Sequence, residues 1–295
     1  MSGEYKLKQD LVEVGRRMYD KGFVASNDGN ISVRLSDRAI LVTPSGVSKG
    51  YMSVSDLLTV DLNGKVIQGT KKATSELKMH LEVYRRRADV MAVVHAHPPV
   101  ATAFAVAGKI CDRVSLPEVI FSLGSISLAE YGTPTTEELP RSVARHIGRS
   151  DVLLLANHGA LTVGGDLFDA YYKMETLEHF ATITMYARLL GGENALDCSE
   201  VEHLLRIRES VYGKSPIDIR NLGVSCGNGT QAGSANLPGE APADGAPGPA
   251  RGLSTNGVPG PVRELSINGA PGPASMEALK ETIERLVKAE LEKYR

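Results

Sequence analysis

The chain has 295 residues, of which 42% are hydrophobic and 23% are charged, and its formal net charge is −2. These values are ordinary for a globular protein that buries a core. A near-neutral chain has no basic field for nucleic acid or an anionic membrane surface, so we expect neither as a partner. The N-terminal residues lack a signal-peptide core, and no apolar run approaches the about 20 residues that span a bilayer, which predicts a cytoplasmic protein.

Residues 1–221 are predicted to form one folded domain of the α/β class. Helices mixed with short strands and hairpins indicate a sheet covered by helices. The predicted elements are a helix at Lys8–Tyr19, strands at Asn30–Arg34, Ala39–Thr43 and Leu58–Val60, a helix opened by Thr74 and Ser75 that runs through Arg87, a strand at Val90–His97, a strand within Asp151–Val163, and helices at Asp166–Leu190 and Glu200–Val211.

The composition changes abruptly after residue 221. Residues 222–274 are rich in Gly, Pro and Ala, and a GAPGPA-like motif recurs after Asp244, Asn256 and Asn268. Such a segment offers almost nothing to bury and cannot offset chain entropy, so we predict a disordered linker. In residues 275–295 the apolar side chains recur at spacings of three and four, which predicts a short amphipathic helix.

Three histidines follow predicted buried strands. His95 and His97 are two residues apart at the end of one strand, so both rings point to the same face. His158 follows the next buried strand in Asn157-His158-Gly159. Three protein ligands and one open position are the arrangement of a catalytic zinc site. Spacing alone is also compatible with separate structural histidines, and both interpretations stay open at this point.

A carboxylate and several turns could serve an anionic substrate. Glu76 lies at a predicted helix start, where it is either a favourable first-turn charge or a group that exchanges protons. The free N–H groups of that helix start, at Thr74 and Ser75, can seat a phosphate. Two glycine-containing turns, at residues 28–30 and 44–46, can also offer backbone N–H groups to an anion. Each of these signals is weak alone.

Together, and in this order, these segments resemble the class II aldolase/adducin family, in particular its aldolases that act on L-fuculose 1-phosphate. The resemblance spans about residues 5–215. The matched segments are Asp28-GNISVRL, Val42-TPSG, Thr74-SELKMH, Val93-VHAHP and Asn157-HGAL. The family implies a mainly antiparallel central β-sheet covered by helices, and a homotetramer with its active sites between subunits.

The resemblance also implies a role for each matched residue. One Zn²⁺ per subunit would be bound by His95, His97 and His158, and Glu76 would carry protons and touch the metal before substrate arrives. Tyr212 would close the site on the aldehyde side. The family's second catalytic tyrosine, given by a neighbouring subunit, has no counterpart in residues 116–124 (LPEVIFSLG). The residues implied to bind the substrate phosphate are Gly29, Asn30, Ser45, Gly46, Thr74 and Ser75.

The implied reaction is zinc-dependent aldol cleavage of L-fuculose 1-phosphate or L-rhamnulose 1-phosphate to dihydroxyacetone phosphate and lactaldehyde. One alternative is an L-ribulose-5-phosphate 4-epimerase or a related sugar-phosphate lyase that shares the metal site. A second is a non-catalytic, adducin-like scaffold. Residues 275–295 resemble the encapsulation peptides of bacterial microcompartment enzymes, which pack on shell or cargo proteins. A solubilising tail or an oligomerisation helix is the plainer interpretation of that segment.

Overall fold

A computed structural model of the chain describes residues 3–111, 113–213, 217 and 219–222. All of them lie in the first of the two units into which the chain divides, Met1–Gln231. The predicted linker, apart from Leu222, and the predicted amphipathic helix at residues 275–295 lie outside the described residues.

Within the described residues, an eight-stranded sheet with the order β4-β3-β2-β1-β5-β8-β7-β6 forms the centre of the fold. Its pairings there are antiparallel apart from the parallel pair β6–β7. The strands are β1 Asn30–Ser36, β2 Ala39–Val42, β3 Leu58–Val60, β4 Val66–Gln68, β5 Ala92–Ala96, β6 Ile126–Ala129, β7 Val152–Leu155 and β8 Gly159–Gly164. The predicted α/β class with a mainly antiparallel sheet is confirmed.

Helices cover both faces of this sheet. The helices packed on it are α1 Gly3–Asp20, α2 Leu77–Arg86, α3 Pro99–Val106, α4 Glu138–His146 and α5 Leu167–Leu189, whereas α6 Cys198–Ser210 packs on the segment Val119–Leu123. Successive residues of a strand point to opposite faces, so Val94 packs with residues of α1, α3 and α5, whereas Val93 packs with residues of α2 and α4. The central strand β5 is therefore buried on both sides. Among the described helices, none combines the length and the apolar character needed to cross a bilayer.

The helix expected to open at Thr74 and Ser75 begins later, at Leu77, and Glu76 is its N-cap residue. Residues before Glu76 are held by the end of β2 instead. Ala73 bridges Pro44, and the Thr74 N–H donates to the Thr43 carbonyl. The Thr74 hydroxyl then accepts the Glu76 N–H. The chain then passes through a single turn, closed by the bond from the Leu77 N–H to the Thr74 carbonyl oxygen, and this turn fixes the Glu76 carboxylate at the helix entrance.

Candidate active site

The sheet brings the three histidines together. His95 lies on β5, whose neighbour β8 pairs Leu161 with His95 and Ala160 with Ala96. Between β7 and β8 the chain reverses at Asn157, whose φ of 54° is in the left-handed region that Asn adopts more readily than most residues. That reversal presents His158 at the same edge of the sheet at which β5 ends.

The three imidazole rings form a tight cluster. Their centroids are 4.7 Å apart for His95 and His158, 5.0 Å for His95 and His97, and 5.2 Å for His97 and His158. The Nε2 atoms of His95 and His97 are 3.2 Å apart. Each ring can offer one nitrogen to a shared centre, and these nitrogens lie within 4.8 Å of one another. The 3.2 Å separation of His95 and His97 is close to that of two tetrahedral zinc ligands with Zn–N bonds of about 2.0–2.1 Å.

The hydrogen bonding of His95 prepares it as a ligand. Its ring is fully buried, and its Nδ1 donates to the Ala160 carbonyl oxygen at 2.8 Å. This bond leaves the Nε2 lone pair free to face the cluster, which is the usual arrangement of a metal-bound histidine. The carboxylate of Asp28 lies 3.6 Å from His97 Nδ1, too far for a direct hydrogen bond but close enough to orient that ring. This donor set fits a divalent metal.

Glu76 joins the cluster as a fourth member. Its two carboxylate oxygens lie 3.2 Å from His95 Nε2 and 3.1 Å from His158 Nε2. Burial opposes ionisation of the carboxyl, but the electrostatic interaction with His95 and hydrogen bonding to His158 and His95 outweigh it and lower the pKa of Glu76 below its usual range. A carboxylate that stays ionised beside the metal position can act as a base or as a resting-state ligand.

His97 is kept neutral. Burial, together with electrostatic repulsion from the neighbouring His95 and His158 rings, lowers the pKa of His97 to about 4. A neutral imidazole has a nitrogen lone pair available near pH 7, as metal binding requires.

A cavity of about 210 Å³ opens beside this cluster. Glu76, His97 and His158 line one part of it. The six residues that the resemblance implies as phosphate ligands also line it, and they are Gly29, Asn30, Ser45, Gly46, Thr74 and Ser75. The Ser45 N–H already donates to the Lys72 carbonyl oxygen, so Ser45 offers its hydroxyl to an anion. Three chain segments that are distant in sequence thus border the same small polar cavity as the histidines.

Two charged residues that line this cavity, Lys49 and Asp28, were not predicted from the sequence as site residues. Lys49 is 1% exposed, and its Nζ donates to the carbonyl oxygens of Asn27 and Val47, which directly flank the two glycine-containing turns. Burial lowers the pKa of Lys49 to about 8. The sequence marks Asp28 only as part of a turn. A buried lysine in an otherwise polar segment leaves no periodic signal, so Lys49 could be found only from the tertiary structure.

Tyr212 lies elsewhere. Its ring stacks on Phe121 at a centroid distance of 5.0 Å, and the residue is 53% exposed. The adjacent Gly213 lines a second cavity, of about 390 Å³, together with Val90 and Gly164. Because Gly164 pairs with Ala92 at the start of β5, this cavity lies at the opposite end of the strand from His95. The structure therefore brings the three histidines, Glu76 and the turn residues together, but places Tyr212 apart from them.

Comparison with known proteins agrees with this geometry. Residues 9–185 match the family described as Class II Aldolase and Adducin N-terminal domain. An L-fuculose phosphate aldolase of Methanocaldococcus jannaschii is 35% identical over 178 residues, which cover 60% of this chain and 95% of that protein. A 3-oxo-tetronate 4-phosphate decarboxylase of Haemophilus influenzae is 31% identical over 60% of this chain and 85% of that protein.

The fold has solved counterparts as well. The crystal structure of L-fuculose-1-phosphate aldolase from Thermus thermophilus is 35% identical, superposes with a TM-score of 0.56, and covers 64% of this chain and 98% of that chain. These matches define an enzyme of a metal-dependent lyase class. More particularly, the chain belongs to the class II aldolase/adducin family and is an enzyme of the class II aldolase type, a carbon–carbon lyase.

Proposed function

We propose that the chain cleaves a ketose 1-phosphate, either L-fuculose 1-phosphate or L-rhamnulose 1-phosphate, to dihydroxyacetone phosphate and lactaldehyde in a zinc-dependent reaction. One observation carries the proposal: a single cavity is lined both by His97 and His158 of the metal-competent cluster and by the three segments suited to a phosphate. The L-fuculose phosphate aldolase relatives support the same substrate class. His95, His97 and His158 would hold the zinc ion, which would supply Lewis-acid stabilisation of the negative charge that develops when the C3–C4 bond breaks.

Glu76 is the proton carrier. In cleavage the C4 hydroxyl loses its proton as the C3–C4 bond breaks and the aldehyde forms, the Glu76 carboxylate takes up a proton, and it then delivers a proton to C3. In the direction of synthesis the same ionised carboxylate removes a proton from C3 of dihydroxyacetone phosphate. Its position between two metal-competent histidines keeps it ionised in the resting enzyme. The same position would allow Glu76 to coordinate the metal before substrate binds.

The turns hold the phosphate. Thr74 and Ser75 precede helix α2, and their polar groups stand at its positive end. The Ser45 hydroxyl, the Gly46 turn and the Gly29-Asn30 segment complete the cradle around the anion. Anchoring the phosphate places the carbonyl and the neighbouring hydroxyl of the ketose next to the histidine cluster, because both regions line the same cavity.

Tyr212 acts in a neighbouring subunit. Its location at the opposite end of β5 from His95 favours an oligomer in which the Phe121–Tyr212 pair of one subunit closes the aldehyde side of another subunit's site, and the assembly that we propose is a homotetramer. Residues 1–221 form the catalytic domain of each subunit. Analytical ultracentrifugation tests the assembly, and a fully active monomer would refute it.

An assay for dihydroxyacetone phosphate over a panel of ketose 1-phosphates, with and without chelator, tests the proposed reaction. Cleavage that is lost with chelator and restored by Zn²⁺ supports it. Release of CO₂ from a 3-oxo-tetronate 4-phosphate would favour the second candidate, a decarboxylase, which the Haemophilus influenzae relative suggests. Conversion of L-ribulose 5-phosphate would favour an epimerase, and a protein that binds no metal and cleaves nothing would be a scaffold.

The proposal extends to residues 275–295. Their apolar stripe, which includes Leu279, Ile283 and Leu286, is typical of a helix that packs on a protein surface. This helix directs the enzyme into a bacterial microcompartment by binding shell or cargo proteins, and residues 222–274 are its tether. The test is deletion of residues 275–295. Co-purification of the full-length chain, but not of the truncated chain, with shells supports the idea. Shells that retain the truncated enzyme refute it.

A further inference from the structure

A buried chain of hydrogen bonds runs from Glu76 into the protein, away from the cavity. Asn30 Nδ2 donates to Glu76 Oε2 at 2.7 Å, and Asn30 Oδ1 is 2.5 Å from His80 Nε2. On the other side of that ring, His80 Nδ1 is 2.6 Å from Ser32 Oγ. Ser32 Oγ in turn is 2.8 Å from the Tyr84 hydroxyl. Five polar side chains are therefore linked end to end.

The spacing of these residues in the sequence explains why their side chains form a continuous chain of hydrogen bonds. Glu76, His80 and Tyr84 are four residues apart around the start and along one face of α2. Asn30 and Ser32 are two residues apart on β1 and point to the same face. The two sets alternate along the chain of bonds. His80 and Ser32 are fully buried, and Asn30 and Tyr84 are 3% exposed, so water does not compete with these bonds.

The hydrogen bonds of this buried chain all donate in one direction, from Tyr84 toward Glu76. Burial raises the pKa of Tyr84 above its ordinary value, so its hydroxyl keeps its proton. Among the described residues that proton has Ser32 Oγ as its hydrogen-bond acceptor. Ser32 must then donate to His80 Nδ1, and His80 must donate from Nε2 to Asn30 Oδ1. Burial and the charge of His95 outweigh the carboxylate of Glu76 and lower the pKa of His80 to about 3, which leaves a ring with a single N–H.

We propose that His80 is a positioning residue for catalysis: as the neutral Nε2–H tautomer it fixes the side-chain amide of Asn30 so that the NH₂ group faces Glu76 and the cavity. This inference rests on the proposed function, in which Glu76 carries the proton. One N–H of Asn30 holds Glu76 Oε2, and the other is free for the phosphate in the cavity that Asn30 lines.

The opposite amide orientation would be harmful at both ends. It would place Asn30 Oδ1 at hydrogen-bond distance from the Glu76 carboxylate, where two acceptors repel each other. It would also turn the oxygen toward the phosphate. The His80 N–H excludes this opposite orientation, because it would place the Asn30 NH₂ group against the His80 N–H and so bring two donors together. His80 thus acts through Asn30 without touching the substrate.

Two replacements of His80 test the role by turnover. His80→Leu removes both ring nitrogens at similar volume, whereas His80→Gln keeps an amide N–H that can reach Asn30 Oδ1. The expected results are a kcat about 10–100-fold lower for His80→Leu, with metal content unchanged, and partial recovery of kcat in His80→Gln. Val83 is also fully buried on α2, so Val83→Ala is the matched control that loses packing but leaves the hydrogen-bond chain intact. Its kcat per folded enzyme should stay at the wild-type value.

Equal kcat in His80→Leu and wild type, or equal losses in the leucine and glutamine variants, would overturn the proposal. Should His80→Leu fail to fold, Tyr84→Phe removes only the terminal donor and should lower kcat about two- to fivefold, in line with loss of one neutral hydrogen bond. An unchanged kcat in Tyr84→Phe would contradict a role for this hydrogen-bond chain in catalysis.

A second readout does not depend on the reaction. Nitrogen-15 NMR of the zinc-loaded wild-type enzyme, assigned with His80→Gln, should show His80 as a neutral Nε2–H tautomer from pH 6 to pH 9. A proton on Nδ1, or titration in this range, would overturn the inference. If the wild-type enzyme cleaves no ketose 1-phosphate while this tautomer is present, the proposed function fails and the hydrogen-bond arrangement stands.

Discussion

Gly159 lies directly against the ring of His97. A Cβ atom at Gly159 would be 2.5 Å from His97 Cδ2, 2.6 Å from the Ala96 carbonyl oxygen and 3.4 Å from His95 Cε1. The Ala96 oxygen belongs to the central strand β5 and has no freedom to withdraw. The absence of a side chain at Gly159 is therefore what allows β8 to approach two members of the histidine cluster.

Replacement of Gly159 by alanine is the first test of this arrangement. Because the new methyl group would push the His97 ring out of the cluster, Gly159→Ala should bind zinc at least about tenfold more weakly, as when the supporting contacts of a metal ligand are lost. Competition with a chromophoric chelator measures this affinity. Gly165→Ala is the matched control, because no atom lies within 4 Å of a Cβ built there. Equal zinc affinity in both variants would contradict the close packing.

Removal of the metal should abolish turnover and destabilise the protein. Bound metal at 100 times its dissociation constant contributes about 2.7 kcal/mol to the free energy of unfolding, so dialysis against a chelator should lower the Tm and added zinc should restore it. His158→Ala should reproduce both losses. His179→Ala, which removes an exposed histidine on α5, should change neither. A chelator that lowers neither activity nor Tm would exclude a metal from the site.

Replacement of Glu76 by glutamine separates metal binding from proton transfer. The amide keeps the shape of the side chain but cannot exchange the proton, so kcat should fall about 10²–10⁴-fold. Zinc content, measured by atomic absorption, should remain one per subunit because the three histidines are intact. Unchanged turnover would remove Glu76 from its assigned role, and loss of zinc would make it an essential ligand instead.

The buried Lys49 predicts a pH dependence of substrate binding. Because burial lowers its pKa to about 8, Lys49 is charged below that pH and neutral above it. The phosphate, with a pKa of about 6, is a dianion throughout this range. The KM should therefore rise about tenfold between pH 7.5 and 9.5 as a charge-assisted interaction is lost. Lys49→Arg, which keeps its charge, should flatten this rise. A KM that does not vary with pH in the wild-type enzyme would show that Lys49 serves only the turns.

The strongly patterned elements were predictable from the sequence. Strand β5 and the long helix α5 have clear apolar periodicity, and both lie close to the predicted ranges. Helix α3 was missed because its eight residues are almost uniformly apolar, and its initial proline was interpreted only as the end of a strand. Periodicity cannot identify a short helix without a polar face. Helix α4 does have a polar face, and it was missed because it is short and contains Pro140 in its first turn, a residue that usually marks a helix boundary.

The residues of the candidate site were likewise predictable only in part. His95 and His97 share a strand end, so their spacing in the sequence is enough to indicate a metal site. The role of His80 could not be anticipated, since a histidine four residues after Glu76 is compatible with any helix. Only the register of β1, in which Asn30 pairs with His95, shows which strand side chains reach α2.

That pairing of Asn30 with His95 has a consequence for assembly of the enzyme. A slip of β1 by one residue along β5 would turn Asn30 and Ser32 to the wrong face while leaving the rest of the sheet able to form. Such a molecule would look native by circular dichroism yet be inert. Because this pairing joins distant parts of the chain, it carries a large loop-closure cost. Activity should thus return during refolding only when β1 reaches its final alignment, well after the helical signal has recovered.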